Sequence, residues 1–230
     1  MLAAAVDLLS NRSFKKAEEL LLDLSGHSGR EKGMALFLLG RLYAEEGSTG
    51  KAENYFTQSA DEYPLLRDYA LKYLIEIYRA TGKHEKVIET ARKVKNNLLA
   101  QYAKQSEITA LLFLERKNEA SEALSRYVEE YPSDWDYKLT FAVHLTGSGE
   151  VDRAARVLKD IYIKAVPPSN SALKELKKLK ADSFTKDELL TRAGNLFDKN
   201  NFQRAEAEYQ EVLKLAQDTA EKDRIRFAVS

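Results

Sequence analysis

Apolar residues along the chain recur at intervals of three and four. Leu36, Leu39, Leu42 and Tyr43 fall on one helical face, and Leu71, Leu74, Ile75 and Tyr78 repeat the arrangement. No segment alternates convincingly with a period of two. Only ten glycines and four prolines punctuate 230 residues. The spacing predicts a nearly all-helical chain, broken into helices of moderate length by short turns.

The helices repeat. Segments that share a basic and acidic surround carry a small residue at one place: Ala17, Ala52, Val87, Ala120, Ala154 and Ala205. The steps between them are 35, 35, 33, 34 and 51 residues. Four lie near the period of about 34 expected of paired-helix repeats. Gly40 sits inside the first helix of one pair, where glycine costs about 1 kcal/mol against alanine. A close helix crossing accounts for it, and Ala52 is the expected facing residue. Tyr43 and Phe56 are expected to fill the volume beside that crossing. Truncating Phe56 would then cost about 3–5 kcal/mol, and enlarging Ala52 about 1–3 kcal/mol. Gly47 is expected to end the first helix in a left-handed conformation, and Pro64 to stop the second.

These positions resemble the tetratricopeptide repeat family. Leu39-Gly40 and Tyr43 match its helix A, Gly47 its turn, Ala52 and Phe56 its helix B, and Pro64 the end of the unit. Gly82, Gly149, Pro132 and Pro167-Pro168 recur at equivalent turns. The resemblance implies an all-α, right-handed superhelical solenoid of about six helix-turn-helix units.

The step of 51 is one period plus half a unit. The additional material, PPSNSALKELKKLKADSFT, contains a short amphipathic helix through Lys180 with Leu173, Leu176 and Leu179 on one stripe. Ser169 or Asn170 is its expected cap. Thr185 and Glu188 form a capping box for the helix that follows. The expected organisation is therefore repeats over 1–168, the first one truncated, an inserted unpaired helix and linker over 169–185, and a further repeat with the start of another over 186–230. Both ends read as cut, so a segment of a longer protein is expected.

Charge adds little pull in any direction. There are 36 basic and 36 acidic residues, a formal net charge of zero. Overall attraction to nucleic acid or to acidic lipid is not expected. No apolar run approaches a membrane span. There is no cysteine, which suits cytoplasm and periplasm alike. The start MLAAAVDLLSNRSFKKAEELL lacks the basic region of a signal peptide.

Catalytic signatures are missing as well. His27, His84 and His144 lie far apart with no carboxylate ladder between them, so no metal site or cofactor is expected. No phosphate-binding glycine loop and no nucleophile elbow occurs. The acid pairs Glu45-Glu46 and Glu129-Glu130 flank turns and suit solvent. Catalytic residues are therefore not assigned.

A groove remains. The family resemblance implies that helix A residues line a concave surface. Those residues are Phe37 and Arg41, then Tyr69, Lys72, Tyr73, Glu76 and Arg79, then Tyr102, Gln105, Thr109 and Phe113. Aromatics mixed with polar groups suit a protein or peptide partner. The family's carboxylate clamp pairs lysine with asparagine on successive A helices; here Lys72 is followed by Glu76, and the clamp is not expected.

A second resemblance covers residues 160–216. A proline-marked repeat end, a lysine/leucine helix and the start T-x-x-E-L-L-x-R-A are similar to the superhelical region of bacterial soluble lytic transglycosylases. It implies a periplasmic or cell-envelope protein near peptidoglycan and peptidoglycan-associated partners, with the lysozyme-like domain outside these residues. Two functions follow: a non-catalytic interaction scaffold, or the helical region of such an enzyme. A cytoplasmic location is the alternative.

Overall fold

The computed structural model describes residues 1–166, 170–215 and 223. Among the described residues there are thirteen helices and no strand. The chain divides into two compact units, Met1–Ala123 and Leu124–Ser230.

The first unit contains α1 (Leu2–Ser10), α2 (Phe14–Ser25), α3 (Arg30–Glu45), α4 (Thr49–Glu62), α5 (Arg67–Ala80), α6 (His84–Ala91) and α7 (Asn97–Phe113). The next helix, α8 (Lys117–Glu130), crosses the division. Helices α1 to α7 each pack on the next in the chain, as in a helical solenoid, and α5 also meets α7. The odd-numbered helices are the A helices of successive pairs and the even-numbered ones the B helices. Ala17, Ala52, Val87 and Ala120 are fully buried, as the repeat spacing requires.

At the α3/α4 crossing the glycine's partner differs from the expected one. Gly40 faces the ring of Phe56 rather than Ala52: a β-carbon at Gly40 would stand 2.7 Å from that ring. The flat face of an aromatic ring needs the whole space of the missing side chain. A second close approach escaped the sequence reading. At Gly33, a β-carbon would stand 2.3 Å from that of Tyr63, and Ser59 Oγ donates to the Gly33 carbonyl at 2.9 Å. Phe56 is fully buried, stacked on Tyr73 at 4.7 Å and edge-on to Phe37 at 5.6 Å.

Turns follow the expected chemistry in half of the pairs. Gly47, Gly82 and Gly149 adopt positive φ, where L side chains clash with the backbone. Arg12, Glu115 and Asn200 hold the same conformation at the corresponding A-to-B turns, positions that sequence inspection for glycine does not find. Tyr63 is extended after α4, because the residue before Pro64 disfavours helix.

One polar contact repeats with the period. The Tyr43 hydroxyl donates to Glu18, and 35 residues later Tyr78 donates to Glu53 at 3.1 Å. In each case a B helix is tied to the next A helix. Glu53 also accepts from Lys83 and Lys86, both at 2.8 Å. The Lys83 hydrogen bond, then that of Lys86, hold its carboxyl well below the ordinary 4.5, at about 2. Burial, then the Glu53 charge, push the Tyr78 phenol up to about 12.

The second unit contains α9 (Trp135–Gly147), α10 (Val151–Lys164), α11 (Asn170–Lys178), α12 (Lys186–Asp198) and α13 (Phe202–Leu215). Helices α9 and α10 pair, as do α12 and α13, while α10 also contacts both α11 and α12. Ala154 and Ala205 are buried. The inserted helix is α11. It ends at Lys178, and Lys180 turns with positive φ. Asn170 is its first residue; Ser169, Pro167-Pro168 and nearly all of AEKDRIRFAVS lie outside the described residues. Ala172 and Leu176 of α11 are fully buried with Leu158 and Ile161 of α10, and Leu173 and Leu179 pack beside them. The helix lacks a B partner yet seals the flank of α10.

Helix α12 opens with the expected capping box: the Glu188 amide donates to Thr185 Oγ1 at 3.2 Å, and the Thr185 amide to Glu188 Oε2 at 2.8 Å. It then docks on the end of α10 through two side chains. Arg192, only 5% exposed, donates to the Tyr162 carbonyl and to Glu208 Oε1 at 2.7 Å. Asn195 donates to the Ile163 carbonyl at 3.1 Å. The last carbonyls of a helix have no partner within it, so these two donors satisfy what α10 leaves open. The arginine of the T-x-x-E-L-L-x-R-A motif is thus structural.

Two glycine-to-alanine exchanges should move stability in opposite directions. Gly50→Ala, in open space within α4, should stabilise by about 0.4–1 kcal/mol. Gly40→Ala should destabilise by about 1–3 kcal/mol through overpacking. Urea midpoints of both variants measure this, and equal signs would contradict the packing described.

The Glu53 carboxylate favours the fold above the ordinary pKa of 4.5, and this contribution is lost as pH falls toward about 2. The stability gap between the parent and Glu53→Gln should be fully open at pH 7 and shrink between pH 4.5 and 2. Urea unfolding across that pH range tests it.

Candidate functional site

The expected groove residues all lie in Met1–Ala123, on α3, α5 and α7. Helical periodicity explains their common side. Leu36, Leu39 and Leu42 of α3, and Leu71, Leu74 and Ile75 of α5, are buried. Arg41, Tyr69, Glu76 and Arg79 are exposed on these helices, and Phe37, Lys72 and Tyr73 are half-buried.

The structure joins several of them. Tyr73 is half-buried, stacked on Phe56 and edge-on to Phe37 at 5.7 Å. It therefore forms a ridge between α3 and α5. Lys72 pairs with Glu76 at 2.8 Å and lies 5.3 Å from the Tyr73 ring and 5.6 Å from the Tyr102 ring. The Glu76 hydrogen bond raises the Lys72 pKa above its ordinary value, so this cation is permanent and already compensated. The Tyr102 hydroxyl is buried with no hydrogen-bond partner among the described residues.

Beyond the ridge a hollow of about 450 Å³ opens. Its lining is Glu76, Arg79 and Ala80 of α5, His84 of α6, and Ser106, Thr109 and Ala110 of α7. Phe113, 68% exposed, stacks on His84 of this lining at 3.9 Å. Arg79 is exposed and makes no ion pair among the described residues. Thr109 Oγ1 donates to the Gln105 carbonyl of its own helix at 2.8 Å.

Other expected residues stay apart. Arg41 pairs with Glu45 on its own helix at 3.6 Å. Tyr69, 39% exposed, stands one helical turn before Tyr73 and away from the hollow. His84, Ser106, Ala80 and Ala110 were missed by sequence reasoning. The repeat register was the usable signal, since the first residue of a B helix reaches the space between neighbouring A helices.

The arrangement presents an aromatic ridge, one uncompensated guanidinium and a small-walled hollow. That is the equipment of a binding surface. Among the described residues no group of three His, Asp or Glu is placed to hold a metal ion, and no helix is long and apolar enough to cross a membrane.

Comparison with known proteins fits this geometry. The family model for the tetratricopeptide repeat matches residues 2–67. Residues 2–67 carry that repeat. Beyond those residues the likeness is one of fold. A tetratricopeptide repeat protein from Parabacteroides merdae is 17% identical, with 99% of this chain and 83% of that one covered at a TM-score of 0.56. YrrB, described as a TPR protein with an unusual peptide-binding site, is 15% identical over 93% of this chain and 97% of its own, with a TM-score of 0.48. Pseudomonas aeruginosa pilF is 11% identical over 99% and 95%, with a TM-score of 0.48. No curated protein matches the chain. The tetratricopeptide repeat fold is in general that of a non-catalytic scaffold for protein partners.

Tyr73 and Arg79 should separate in a stability measurement. Tyr73→Ala strips a half-buried ring from the stack on Phe56 and should cost about 1–3 kcal/mol. Arg79→Ala should stay within about 0.5 kcal/mol of the parent. Similar losses in urea unfolding would place Arg79 in the packing rather than on the surface.

Proposed function

We propose that this chain is a non-catalytic scaffold that holds a protein or peptide partner along the A-helix face of Met1–Ala123, in a bacterial cell envelope. One observation carries the binding reading. Arg79 stands exposed in a hollow completed by Glu76, Ala80, His84, Ser106, Thr109 and Ala110, and the exposed ring of Phe113 stacks on His84 of that lining. Arginine and aromatic side chains are the usual anchors of protein interfaces, each contributing up to about 2 kcal/mol or more. The remaining charges beside them are already paired, as in Lys72 with Glu76, and exposed pairs of that kind contribute little.

Photo-crosslinking in the host cells tests it. A benzophenone side chain at Thr109 or Arg79 should capture a partner, and one at Glu89 on the B-helix side should not. Arg79→Ala with Phe113→Ala should then weaken the purified complex at least about tenfold, which is about 1.4 kcal/mol. Capture from Glu89 alone would move the site to the opposite side.

The envelope location and a second reading rest on residues 160–216. Helix α11 sits between repeats and Thr185 caps α12 in a complete box, the features shared with soluble lytic transglycosylases. In that reading the chain is the non-catalytic helical region of such an enzyme. The purified chain should release no anhydro-muropeptides from cell walls, and the protein should fractionate with the periplasm. Release of muropeptides would overturn the non-catalytic assignment, and recovery with cytoplasm would overturn the location.

A further inference from the structure

Among the described residues, the two most exposed large apolar side chains are Leu98, at 85%, and Leu65, at 74%. Leu65 stands in the turn between α4 and α5, and Leu98 in the first turn of α7, just past the link from α6. Both therefore lie at B-to-A turns, in successive pairs of one compact unit. Asp68, the second residue of α5, joins the two turns. Its Oδ2 accepts from the Lys95 amide at 3.0 Å and from the Asn96 amide at 2.6 Å. A single exposed leucine is ordinary on a protein surface. Two at adjoining turn tips make an apolar edge, and the exposed Tyr69 lies in the first turn of α5 at the same end of that helix.

The chain is neutral as a whole, but this edge is biased. Arg67, Lys93 and Lys95 are exposed, and none has an ion-pair partner among the described residues. Of the acids beside them, Glu62 is paired with Lys32 at 2.5 Å, and the Asp68 carboxylate is turned onto the two amides. Asp61, exposed near the end of α4, is the free acid among them.

The backbone of both tips is largely closed on itself. Leu66 donates to the Tyr63 carbonyl at 3.0 Å and Arg67 to that of Pro64 at 3.3 Å. Leu98 donates to Asn96 Oδ1 at 2.8 Å and Leu99 to the Asn96 carbonyl at 3.0 Å. Pro64 has no amide hydrogen to satisfy. A turn can leave water at low cost only when its polar groups are paired in this way. Leucines that project from turns need a surface that yields around them, whereas a rigid protein would need a socket for each. Cations beside projecting apolar tips suit phosphate groups at the rim of a hydrocarbon layer.

We propose that the turn edge around Leu65 and Leu98 docks peripherally on an anionic phospholipid bilayer, with the two leucines entering its interface and Arg67, Lys93 and Lys95 meeting its phosphates. The hollow between α5 and α7 begins at Glu76 and Ser106, toward the opposite ends of those helices, so docking leaves it open.

Co-sedimentation of the full chain with vesicles tests this. Vesicles of phosphatidylglycerol and phosphatidylcholine in equal parts should bind the chain at least about tenfold more tightly than phosphatidylcholine alone. Leu65→Ser with Leu98→Ser should weaken that binding at least about tenfold and leave the urea midpoint unchanged, because both side chains are exposed. Lys93→Gln with Lys95→Gln should remove most of the preference for anionic vesicles, as should raised salt. Insertion has its own readout on a chain that keeps both leucines. The sequence has no cysteine, so Asn97→Cys gives a single site for a nitrobenzoxadiazole label. Its emission should shift to the blue on anionic vesicles and be quenched by brominated acyl chains. The same label at Asn118→Cys, beside an A-to-B turn on the opposite edge, should do neither.

No binding to anionic vesicles overturns the assignment. So does salt-sensitive binding that the leucine pair does not alter, which would be charge adsorption alone, and so does insertion of the Asn118→Cys label in place of the other. Self-association that the leucine pair abolishes, without vesicle binding, would give the edge to a second copy of the chain and overturn it as well.

Discussion

Close approach at the crossing of paired helices governs this structure. Ala17, Ala52, Val87, Ala120, Ala154 and Ala205 are each almost completely buried, and a larger side chain at any of them would push two backbones apart. At α3 and α4 the requirement extends to Gly40, which takes the Phe56 ring against its backbone. Phe56 in turn supports Tyr73 and meets Phe37. One tight crossing thus passes through a single ring to the surface ridge on the A-helix face.

Because that crossing returns every 33 to 35 residues, whatever surrounds it returns in register too. The Tyr43–Glu18 and Tyr78–Glu53 bonds are one example. The hollows between α1 and α3 and between α5 and α7 are another. A periodic backbone with non-periodic side chains thus gives equivalent places lined by different residues. Several charges in Met1–Ala123 are linked from one repeat to the next. Glu53 holds Lys83 and Lys86, Arg92 holds Glu107 and Glu119, and Arg116 holds Glu85 and Glu119. Arg12, Arg30, Arg67 and Arg79 are exposed outside these pairs, and of these four Arg79 lines the hollow between α5 and α7.

In Leu124–Ser230 the array must continue past an extra helix. Ala172 and Leu176 bury α11 on α10, while Arg192 and Asn195 bring α12 onto the carbonyls at the end of α10. The buried guanidinium is compensated by Glu208 and by its stacking on the Tyr162 ring at 3.7 Å. Removing Glu208 alone would leave a buried charge, which is far more costly than losing an exposed pair.

The helical class, the repeat step, the buried small residues, the proline stop at Pro64, the inserted helix and the Thr185–Glu188 box were all legible in the sequence. Each is set by local spacing or by backbone chemistry within a few residues. The partner of Gly40, the approach of Gly33 to Tyr63, the buried Arg192 and the hollow beside His84 were not. They join residues on different helices, whose meeting depends on how helices cross and on which rotamer fills the gap. Left-handed turns at Arg12 and Glu115 were hidden for a related reason: the fold imposes there a conformation that the residue type does not favour, whereas Asn200 adopts it readily. As for the site, the sequence supplied the face, because helical periodicity separates outward from inward residues. Only the tertiary structure divided that face into ridge and hollows, since Tyr73 fills its gap by stacking on a ring from another helix.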